Sequence, residues 1–364
     1  MRSVSTIGIL VLLMACSTSA NQDKTDQSVT SRKISKKVSN TGNRQVICFV
    51  YHRFGDERFP STNVSINHFE SHLTYLKKND FRVMTFSQAL EHIQEGGKYE
   101  KIAVITIDDG YDSFYVNGLP LLEKYEFPAT LFINTETVGG KDYMDWGQLE
   151  DVLGRKVEIG NHTHSHAYFL NLPMQERYVA FREELRTCQK LIEKNLGISP
   201  KTVAYPYGEL DEEMKDIVRS MGFTGAAAQN SGVVHAGTDL FRCPRFPMSE
   251  FYSDPEKFAS KANMHPLKLA LEQPVSFLLP PDEKTPELTL KFLHADLITD
   301  QLQCFIQGSE CRKDLSIDAD TVTLSLSAIS DISQRRRTLY TVTVPDGDGQ
   351  WHWFSHLWIN PEIR

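Results

Sequence analysis

Between residue 45 and about residue 262, short apolar runs alternate with segments whose apolar residues recur every three or four positions. Several runs are continuously apolar, which is typical of parallel strands that are covered on both faces. The pattern predicts strands at 46–51, 102–107, 129–133, 157–159, 202–205 and 223–227, and helices at 67–77, 86–93, 118–125, 173–197 and 211–220. Repeated strand–helix units predict an α/β fold, either a parallel barrel or a doubly wound sheet.

After about residue 270 the hydrophobic period changes to two. Alternating runs at 287–293, 321–326 and 339–344, with a turn at 346–349, predict a small all-β, sandwich-like domain over 270–364. The preceding α/β domain is expected to span 45–265. The aromatic run Trp351-His352-Trp353-Phe354 has two interpretations: a platform on which sugars stack, or a final strand whose aromatic rings pack partly against the first domain. The second interpretation is the simpler one.

The N-terminus has the pattern of an export signal. A basic residue and an apolar stretch at 7–14, too short to span a membrane, predict a signal peptide over 1–19. The stretch ending at Cys16 resembles a bacterial lipobox, and Ser17 after the cysteine favours the outer membrane; the alternative is ordinary cleavage after Ala20. Residues 20–44 are polar and predict a flexible linker. We expect a Gram-negative envelope protein, either an outer membrane lipoprotein or periplasmic, that meets the membrane only through a lipid anchor at Cys16.

Composition narrows the class of protein. Of 364 residues, 40% are hydrophobic and 24% charged, which excludes a disordered or fibrous chain. With 39 basic and 47 acidic residues the formal net charge is −8, so nucleic acid is not an expected partner. A monomer is expected. Cys304 and Cys311 bracket a short loop that a hairpin disulfide would close in an oxidising compartment. Three other cysteines, Cys48, Cys188 and Cys243, have apolar neighbours and are expected to be buried thiols.

The strand predicted at 102–107 ends in two adjacent carboxylates, Asp108 and Asp109. Holding two like charges together costs free energy unless a cation compensates. Taken alone, the pair fits a solvated Asp-Gly turn as well as it fits a cation site.

Three histidines, His162, His164 and His166, follow the strand predicted at 157–159. On a helical turn His162 and His166 would share one face, and with one carboxylate they would form a catalytic metal site with open positions. Strand alternation would instead turn all three imidazoles the same way. The mixed set is preferred because it also explains the acidic pair.

A third polar segment, Tyr205-Pro206-Tyr207-Gly208, follows the strand at 202–205. A Pro-Tyr-Gly bend presents a backbone N–H and an aromatic wall to a ligand, although a plain strand-to-helix turn has the same composition. All three segments lie at the carboxyl ends of apolar strands, where α/β barrels build active sites.

Together these segments resemble the first three motifs of the polysaccharide deacetylases (carbohydrate esterase family four, the NodB-homology domain), and the resemblance covers roughly 45–262. It implies a distorted (β/α) barrel. By this resemblance Asp108 is the general base that takes a proton from water. Asp109, His162 and His166 would bind a divalent ion, zinc first, with nickel or cobalt as alternatives. The Tyr207 backbone N–H would help to hold the oxyanion.

Two departures from the family pattern matter. The third motif often begins with an arginine that orients the base, but Ala204 stands at that place, and Arg245 is the candidate that replaces it. The late family motif that supplies the general acid is not recognisable. His235 is the first substitute, with His164 and His265 behind it.

The resemblance implies an enzyme that removes N-acetyl groups from an N-acetylglucosamine polymer. A biofilm or exopolysaccharide is the first substrate expected, before chitin oligomers and peptidoglycan. Two alternatives stay open: an O-acetyl carbohydrate esterase on the same scaffold, and a non-catalytic carbohydrate-binding envelope protein.

Overall fold

Strands and helices alternate through the first two thirds of the chain. The computed structural model describes residues 44–95 and 101–363. The alternating part contains β1 (Gln45–Tyr51), β2 (Arg53–Phe54), β3 (Asn63–Val64), α1 (Ile66–Lys78), β4 (Arg82–Met84), α2 (Phe86–Glu95), β5 (Ile102–Asp109), α3 (Leu119–Tyr125), β6 (Ala129–Ile133), α4 (Trp146–Leu153), β7 (Val157–Asn161), α5 (Met174–Leu196), β8 (Thr202–Ala204), α6 (Glu212–Ser220), β9 (Gly225–Ala227), β10 (Val233–His235), β11 (Phe246–Pro247) and α7 (Pro255–Ala262).

Strands dominate the last hundred residues. They are β12 (His265–Pro266), β13 (Leu269–Gln273), β14 (Leu288–Leu293), β15 (Gln303–Ile306), β16 (Cys311–Asp318), β17 (Thr321–Ala328), β18 (Arg337–Pro345) and β19 (Trp351–Ile359). Short helical turns of other types lie at Phe114–Gly118, Phe169–Asn171, Pro206–Gly208 and Thr299–Gln301.

Helix boundaries follow local signals that the sequence carries. The longest helix, α5, starts after Pro173 and ends at Gly197, whose left-handed φ of 69° stops it, as predicted. The helices α4 and α7 are missing from the sequence prediction, yet both have clear caps. The Asp145 side chain accepts from the Gln148 N–H in a capping box, and Asp254 accepts from two N–H groups of α7. These cap residues are a local signal from which both helices could have been predicted.

A nine-stranded sheet forms the centre of the alternating part. Its order is β10-β1-β5-β6-β7-β8-β9, with β11 also paired to β1 and β4 to β5. Pairing is parallel except between β1 and β10. Strands such as β1 and β6 are buried along their whole length because helices cover the outside of the curled sheet. The predicted distorted (β/α) barrel is confirmed.

The strands after residue 264 pair in two further sheets, β12-β19-β18-β15 and β13-β14-β17-β16. Along β17 buried and half-buried residues alternate, because every second side chain points into the space between the sheets. That core contains Leu290, Leu324, Val342 and Trp358. The predicted all-β part is confirmed as a two-sheet arrangement, and the predicted disulfide joins Cys304 to Cys311.

The β-sandwich packs directly on the barrel. Leu357 and Ile359 of β19 share a hydrophobic cluster with Tyr205, and the Trp353 ring meets Phe246 edge to face at 5.5 Å between centroids. The Trp353 Nε1 also donates to the Ser231 carbonyl at 3.0 Å. The packing interpretation of this aromatic strand is therefore confirmed for Trp353. The described residues belong to one compact unit, so the boundary near 265–270 stays a prediction.

The signal peptide, the lipobox at Cys16 and the linker up to residue 43 lie outside the described residues. The last residue assigned to the linker, Arg44, is buried, and its guanidinium donates to the carbonyls of His92 and Ile93 at 2.6 and 3.0 Å. No helix in the described part of the chain is both long and apolar enough to span a membrane. Cys48, Cys188 and Cys243 are buried free thiols, as predicted.

Candidate active site

The carboxyl ends of the parallel strands meet at one edge of the sheet, which we call the upper edge. There they surround a cleft of about 620 Å³. Its walls include His52 after β1, Asp109 at the end of β5, His166 after β7 and Tyr207 after β8. Parallel strands bring these segments together because their carboxyl ends all face the same way. The three polar segments of the sequence are thus neighbours in space.

Asp109, His162 and His166 converge on one point. Oδ1 of Asp109 lies 3.4 Å from Nε2 of His162 and 3.4 Å from Nε2 of His166. One ligand atom from each residue lies within 4.8 Å of the other two. A carboxylate with two imidazoles is the donor set of many catalytic zinc sites, so these residues fit a divalent cation. The preferred mixed set is the one that the fold assembles.

His164 does not join this group. Its Nδ1 forms a hydrogen bond of 2.9 Å with the Thr135 hydroxyl, so the three-imidazole alternative is not what the fold builds. The expected helical turn is also wrong. The segment after β7 is a loop in which Thr163 and His166 have left-handed φ values of 67° and 56°. These two backbone reversals, rather than helical spacing, bring the two imidazoles together.

Helix α5 holds this loop in place. Glu184 accepts from the N–H groups of His164 and Ser165 at 2.9 and 2.6 Å. The Asn161 side chain donates to the Leu185 carbonyl and accepts from the Thr163 N–H. These bonds satisfy the loop's backbone and support its left-handed residues.

The surroundings set the state of each imidazole. The Nδ1 of His162 donates to the Ala204 carbonyl at 2.8 Å, which leaves Nε2 facing Asp109. Burial lowers the pKa of His166 to about 4, so this ring is neutral at pH 7. Burial opposes charge on His162 as well, but the Asp109 hydrogen bond and the two nearby carboxylates outweigh it and raise its pKa.

Asp108 is fully buried beside this group and is paired with Arg245. Nη1 and Nη2 of Arg245 each donate to one carboxylate oxygen at 2.8 Å, and the guanidinium also donates to Thr106 Oγ1 and the Ala228 carbonyl. Arg245 is itself fully buried. Burial alone would raise the pKa of Asp108, but the Arg245 charge and hydrogen bonds outweigh burial and lower it. Arg245 therefore lies beside Asp108, as the sequence analysis expects of a residue that replaces the family's arginine at the position of Ala204.

Tyr207 closes another side of the cleft. It has a left-handed backbone, with φ 59° and ψ 5°, within the turn Pro206–Gly208. Its ring meets His166 at 4.4 Å between centroids and stacks on Tyr168 at 3.6 Å. The Arg337 guanidinium, at the start of β18, donates to the Tyr207 carbonyl at 2.8 Å. The β-sandwich thus reaches the third motif directly.

The structure places two of the three substitutes for the general acid, His235 and His265, away from the cleft. On β10, His235 pairs with Gln45, six residues before Tyr51 at the upper end of β1. At about 3.3 Å per residue this places His235 roughly 20 Å from the upper edge. His265 lies beside Gln45 and His352, near the same lower end. Neither residue reaches the cleft, because β1 runs the full depth of the sheet between them and the site.

Among the cleft residues that the sequence-predicted site lacks, two carry chemistry: His52 and Arg337. His52 lines the cleft together with Asp109, whose pKa is lowered because the His162 hydrogen bond and the nearby imidazoles outweigh the opposing effect of burial. His52 directly follows the first apolar strand, which is the same signal that identifies Asp108. Arg337 also lines the cleft but follows no barrel strand. Only the packing of the sandwich on the barrel could reveal it.

Comparison with known proteins confirms the family resemblance that the sequence motifs carry. Residues 95–226 match the family model described as polysaccharide deacetylase. The chain is 27% identical over 213 residues to the poly-beta-1,6-N-acetyl-D-glucosamine N-deacetylase of Staphylococcus aureus, a match that covers 56% of this chain and 73% of the relative.

Two solved structures have the same fold. The Streptococcus pyogenes deacetylase PplD, in complex with acetate, superposes with a TM-score of 0.56 at 17% identity, over 61% of this chain and 99% of that one. IcaB from Ammonifex degensii superposes with a TM-score of 0.53 at 23% identity, over 61% and 97% of the two chains. At these identities the structures support the barrel fold itself.

Proposed function

This chain contains a polysaccharide deacetylase domain, and from that premise we propose that it is a metal-dependent hydrolase that removes N-acetyl groups from an N-acetylglucosamine polysaccharide. One observation carries the proposal. The Asp109, His162 and His166 group borders a cleft, and the buried Asp108–Arg245 pair lies directly beside that group. The similarity to a poly-beta-1,6-N-acetyl-D-glucosamine N-deacetylase supports the choice of substrate.

Asp109, His162 and His166 would hold the divalent cation, and zinc is our first choice because imidazole and carboxylate suit it. A bound divalent cation supplies Lewis-acid chemistry, which polarises a carbonyl oxygen and lowers the pKa of a water molecule so that a weak carboxylate base suffices. The protein's own contribution is orientation. The Ala204 carbonyl fixes the His162 ring, and the Glu184 carboxylate fixes the loop that carries His166.

Asp108 is the proposed general base. Its lowered pKa keeps it ionised at neutral pH, and one of its oxygens lies 4.0 Å from His162 Nε2, on the side of the three ligands. The two hydrogen bonds from Arg245 fix the plane of the carboxylate, so Asp108 accepts a proton from water at one defined position. Arg245 acts through Asp108 and is a positioning residue.

Two further groups complete the proposed chemistry. The left-handed turn at Tyr207 orients its peptide at the cleft, and we assign its N–H to the oxyanion that develops on the acetyl carbonyl. His52 replaces His235 as the proton donor to the departing amine, since it lines the cleft beside Asp109. An amine leaves less readily than an alcohol, so we expect His52→Gln to slow N-deacetylation more than ester hydrolysis.

We also propose that the protein works in the cell envelope, anchored through Cys16. The support is the signal-like stretch at the N-terminus and the disulfide between Cys304 and Cys311, a bond that is rare in reducing compartments. Labelling cells with a radioactive fatty acid tests the anchor. Label in the wild-type protein and none in Cys16→Ala supports lipidation at Cys16, absence of label from both supports simple cleavage, and equal label in both overturns the assignment to Cys16.

Hydrolysis of matched substrates tests the activity. The purified, zinc-loaded protein is incubated with β-1,6-linked N-acetylglucosamine pentamer, with a chitin pentamer and with an O-acetylated sugar oligomer. Released acetate and new free amines are both measured. We expect acetate and amine in equal amounts from the β-1,6-linked pentamer. Acetate without amine, and only from the O-acetylated oligomer, would identify an esterase. Oligomer binding without acetate release would identify a carbohydrate-binding protein.

A further inference from the structure

A second groove continues the cleft toward the β-sandwich. It has a volume of about 680 Å³ and shares Gln229, Pro247, Met248 and Tyr252 with the cleft. We call it the aromatic groove and define it by Phe246, Phe251, Tyr252, Leu339, Thr341 and Trp353. Because four residues line both cavities, a chain-like ligand that leaves the cleft in this direction enters the groove.

The β-sandwich builds one wall of this groove. Arg337, Leu339 and Thr341 alternate along β18, so their side chains lie on the same face of the strand. Arg337 lines the cleft, whereas Leu339 and Thr341 line the groove. The four residue steps from Arg337 to Thr341 span about 14 Å. One face of β18 therefore lines the path of a ligand from the cleft into the groove.

The opposite wall combines exposed aromatic rings with charged groups. Phe251 and Tyr252 are neighbours in the chain, and 64% and 52% of their surfaces are exposed, so both rings are accessible to a ligand. Lys261 also lines the groove, and its ammonium lies 3.7 Å from the centre of the Trp353 ring, which belongs to the β-sandwich. Glu256 and Lys257 line the same groove. A pyranose ring has this dual character, with C–H groups on its faces and hydroxyls around its edge.

We infer that the aromatic groove is a subsite for a second sugar of the amino-sugar polymer, next to the residue that is deacetylated, and that the β-sandwich contributes to binding long chains. This inference rests on the proposed function and adds a preference for chain length to it. Phe251 supplies the exposed ring on which the sugar face stacks. Leu339, Thr341 and Trp353 of the β-sandwich line the same groove.

Chain-length kinetics test the subsite. We compare kcat/KM for the β-1,6-linked N-acetylglucosamine pentamer with that for the dimer, in the wild type and in Phe251→Ala. The wild type is expected to prefer the pentamer. The ratio of the two constants should fall roughly fivefold to tenfold in Phe251→Ala, the effect of one lost ring contact. Phe251→Tyr keeps the ring and should restore most of the ratio.

Phe305→Ala is the matched control. Phe305 is 54% exposed, like Phe251, but it lies on β15, near the disulfide, and outside the groove. It should leave the ratio unchanged. An equal loss on dimer and pentamer in Phe251→Ala, no loss on either, or a wild type without chain-length preference would overturn the inference. A change of oligomeric state in Phe251→Ala, measured by light scattering, would assign the groove to a second copy of the chain instead.

Binding separates this inference from the proposed function. Pentamer affinity is measured by calorimetry in the Asp108→Asn protein, with and without Phe251→Ala. If the wild type releases no acetate but Phe251→Ala still weakens pentamer binding about fivefold, the subsite stands and the proposed function fails. If acetate is released and pentamer affinity does not depend on Phe251, the proposed function stands and the subsite fails.

Discussion

Both edges of the nine-stranded sheet carry histidines and carboxylates, but the two sets are arranged differently. At the upper edge Asp109, His162 and His166 converge on one point, with one ligand atom of each within 4.8 Å of the other two. Next to the lower edge, on strand β19 of the β-sandwich, His352 uses both ring nitrogens, one with Asp346 at 3.0 Å and one with the Pro266 carbonyl at 3.2 Å. His235 accepts from the Gly237 N–H.

The difference shows that residue type alone does not create a metal site. The partners that hold each side chain decide whether its ligand atom stays free. The lower histidines are paired one by one with partners in neighbouring strands and turns. The upper ones are held by second partners, such as the Ala204 carbonyl, that leave a ligand atom free. Residues with a left-handed backbone conformation also cluster at the upper edge, at Asp109, Thr163, His166 and Tyr207. Strained backbone of this kind persists where the surrounding structure enforces it, and functional sites are the usual place.

Removal of the base should have the largest effect. We expect Asp108→Asn to lower the rate of acetate release by about 10²–10⁴-fold, because the amide cannot accept the proton. The bound metal should remain, since Asp108 is not one of the three ligands. Acetate release and metal content by mass spectrometry check this.

His166→Ala is the matched variant for the metal and should lose it. Loss of metal from Asp108→Asn as well would contradict the separation of base and ligands.

The next largest effect is expected when Arg245, the cation beside Asp108, is removed, and it should lower the stability of the protein. Arg245→Met leaves Asp108 buried without its partner, which costs about 3–5 kcal/mol of the free energy of unfolding. Urea unfolding followed by circular dichroism measures this cost. In the double variant Asp108→Asn/Arg245→Met part of the loss should return, because no buried charge is left unpaired. Equal stability of wild type and Arg245→Met would show that the pair is not a structural unit.

The pH dependence of stability should distinguish the paired carboxylate from an ordinary one. The pKa of Asp108 is lowered in the folded protein, so its contribution is complete above its unfolded pKa of about 3.9 and is lost as pH falls further. Between the unfolded and folded pKa values the wild type should lose about 1.4 kcal/mol per pH unit more than Asp108→Asn. Urea titrations from pH 5 to pH 2.5 measure both slopes, and parallel slopes would contradict the lowered pKa.

The smallest effect is expected at the lower edge. His235→Gln and His265→Gln should change acetate release by less than about twofold, since both residues lie near Gln45, whose end of β1 is roughly 20 Å from the upper edge. Their proper comparison is His52→Gln, which removes a histidine that lines the cleft. A loss in His235→Gln as large as that in His52→Gln would mean that the two edges are coupled.

Local patterns predicted the fold to a large extent. The strands at 129–133 and 157–159 appear as Ala129–Ile133 and Val157–Asn161, because continuous apolar runs are decisive for buried parallel strands. The alternation at 321–326 likewise gave a sandwich strand. Short strands such as β4 and β11, three and two residues long, are too short to show a hydrophobic period and leave no local signal. They exist because long neighbouring strands pair with them.

For the site, the sequence alone was enough to identify three segments that follow three apolar strands. These segments contain Asp108, Asp109, His162, His166 and Tyr207. Tertiary structure decided the rest. Arg245 reaches Asp108 across 137 positions of sequence because β11 pairs with β1, and His235 is excluded because β10 pairs with the other end of that strand. Strand order and register are long-range choices made by the packing of the whole core, and no local window of sequence contains them.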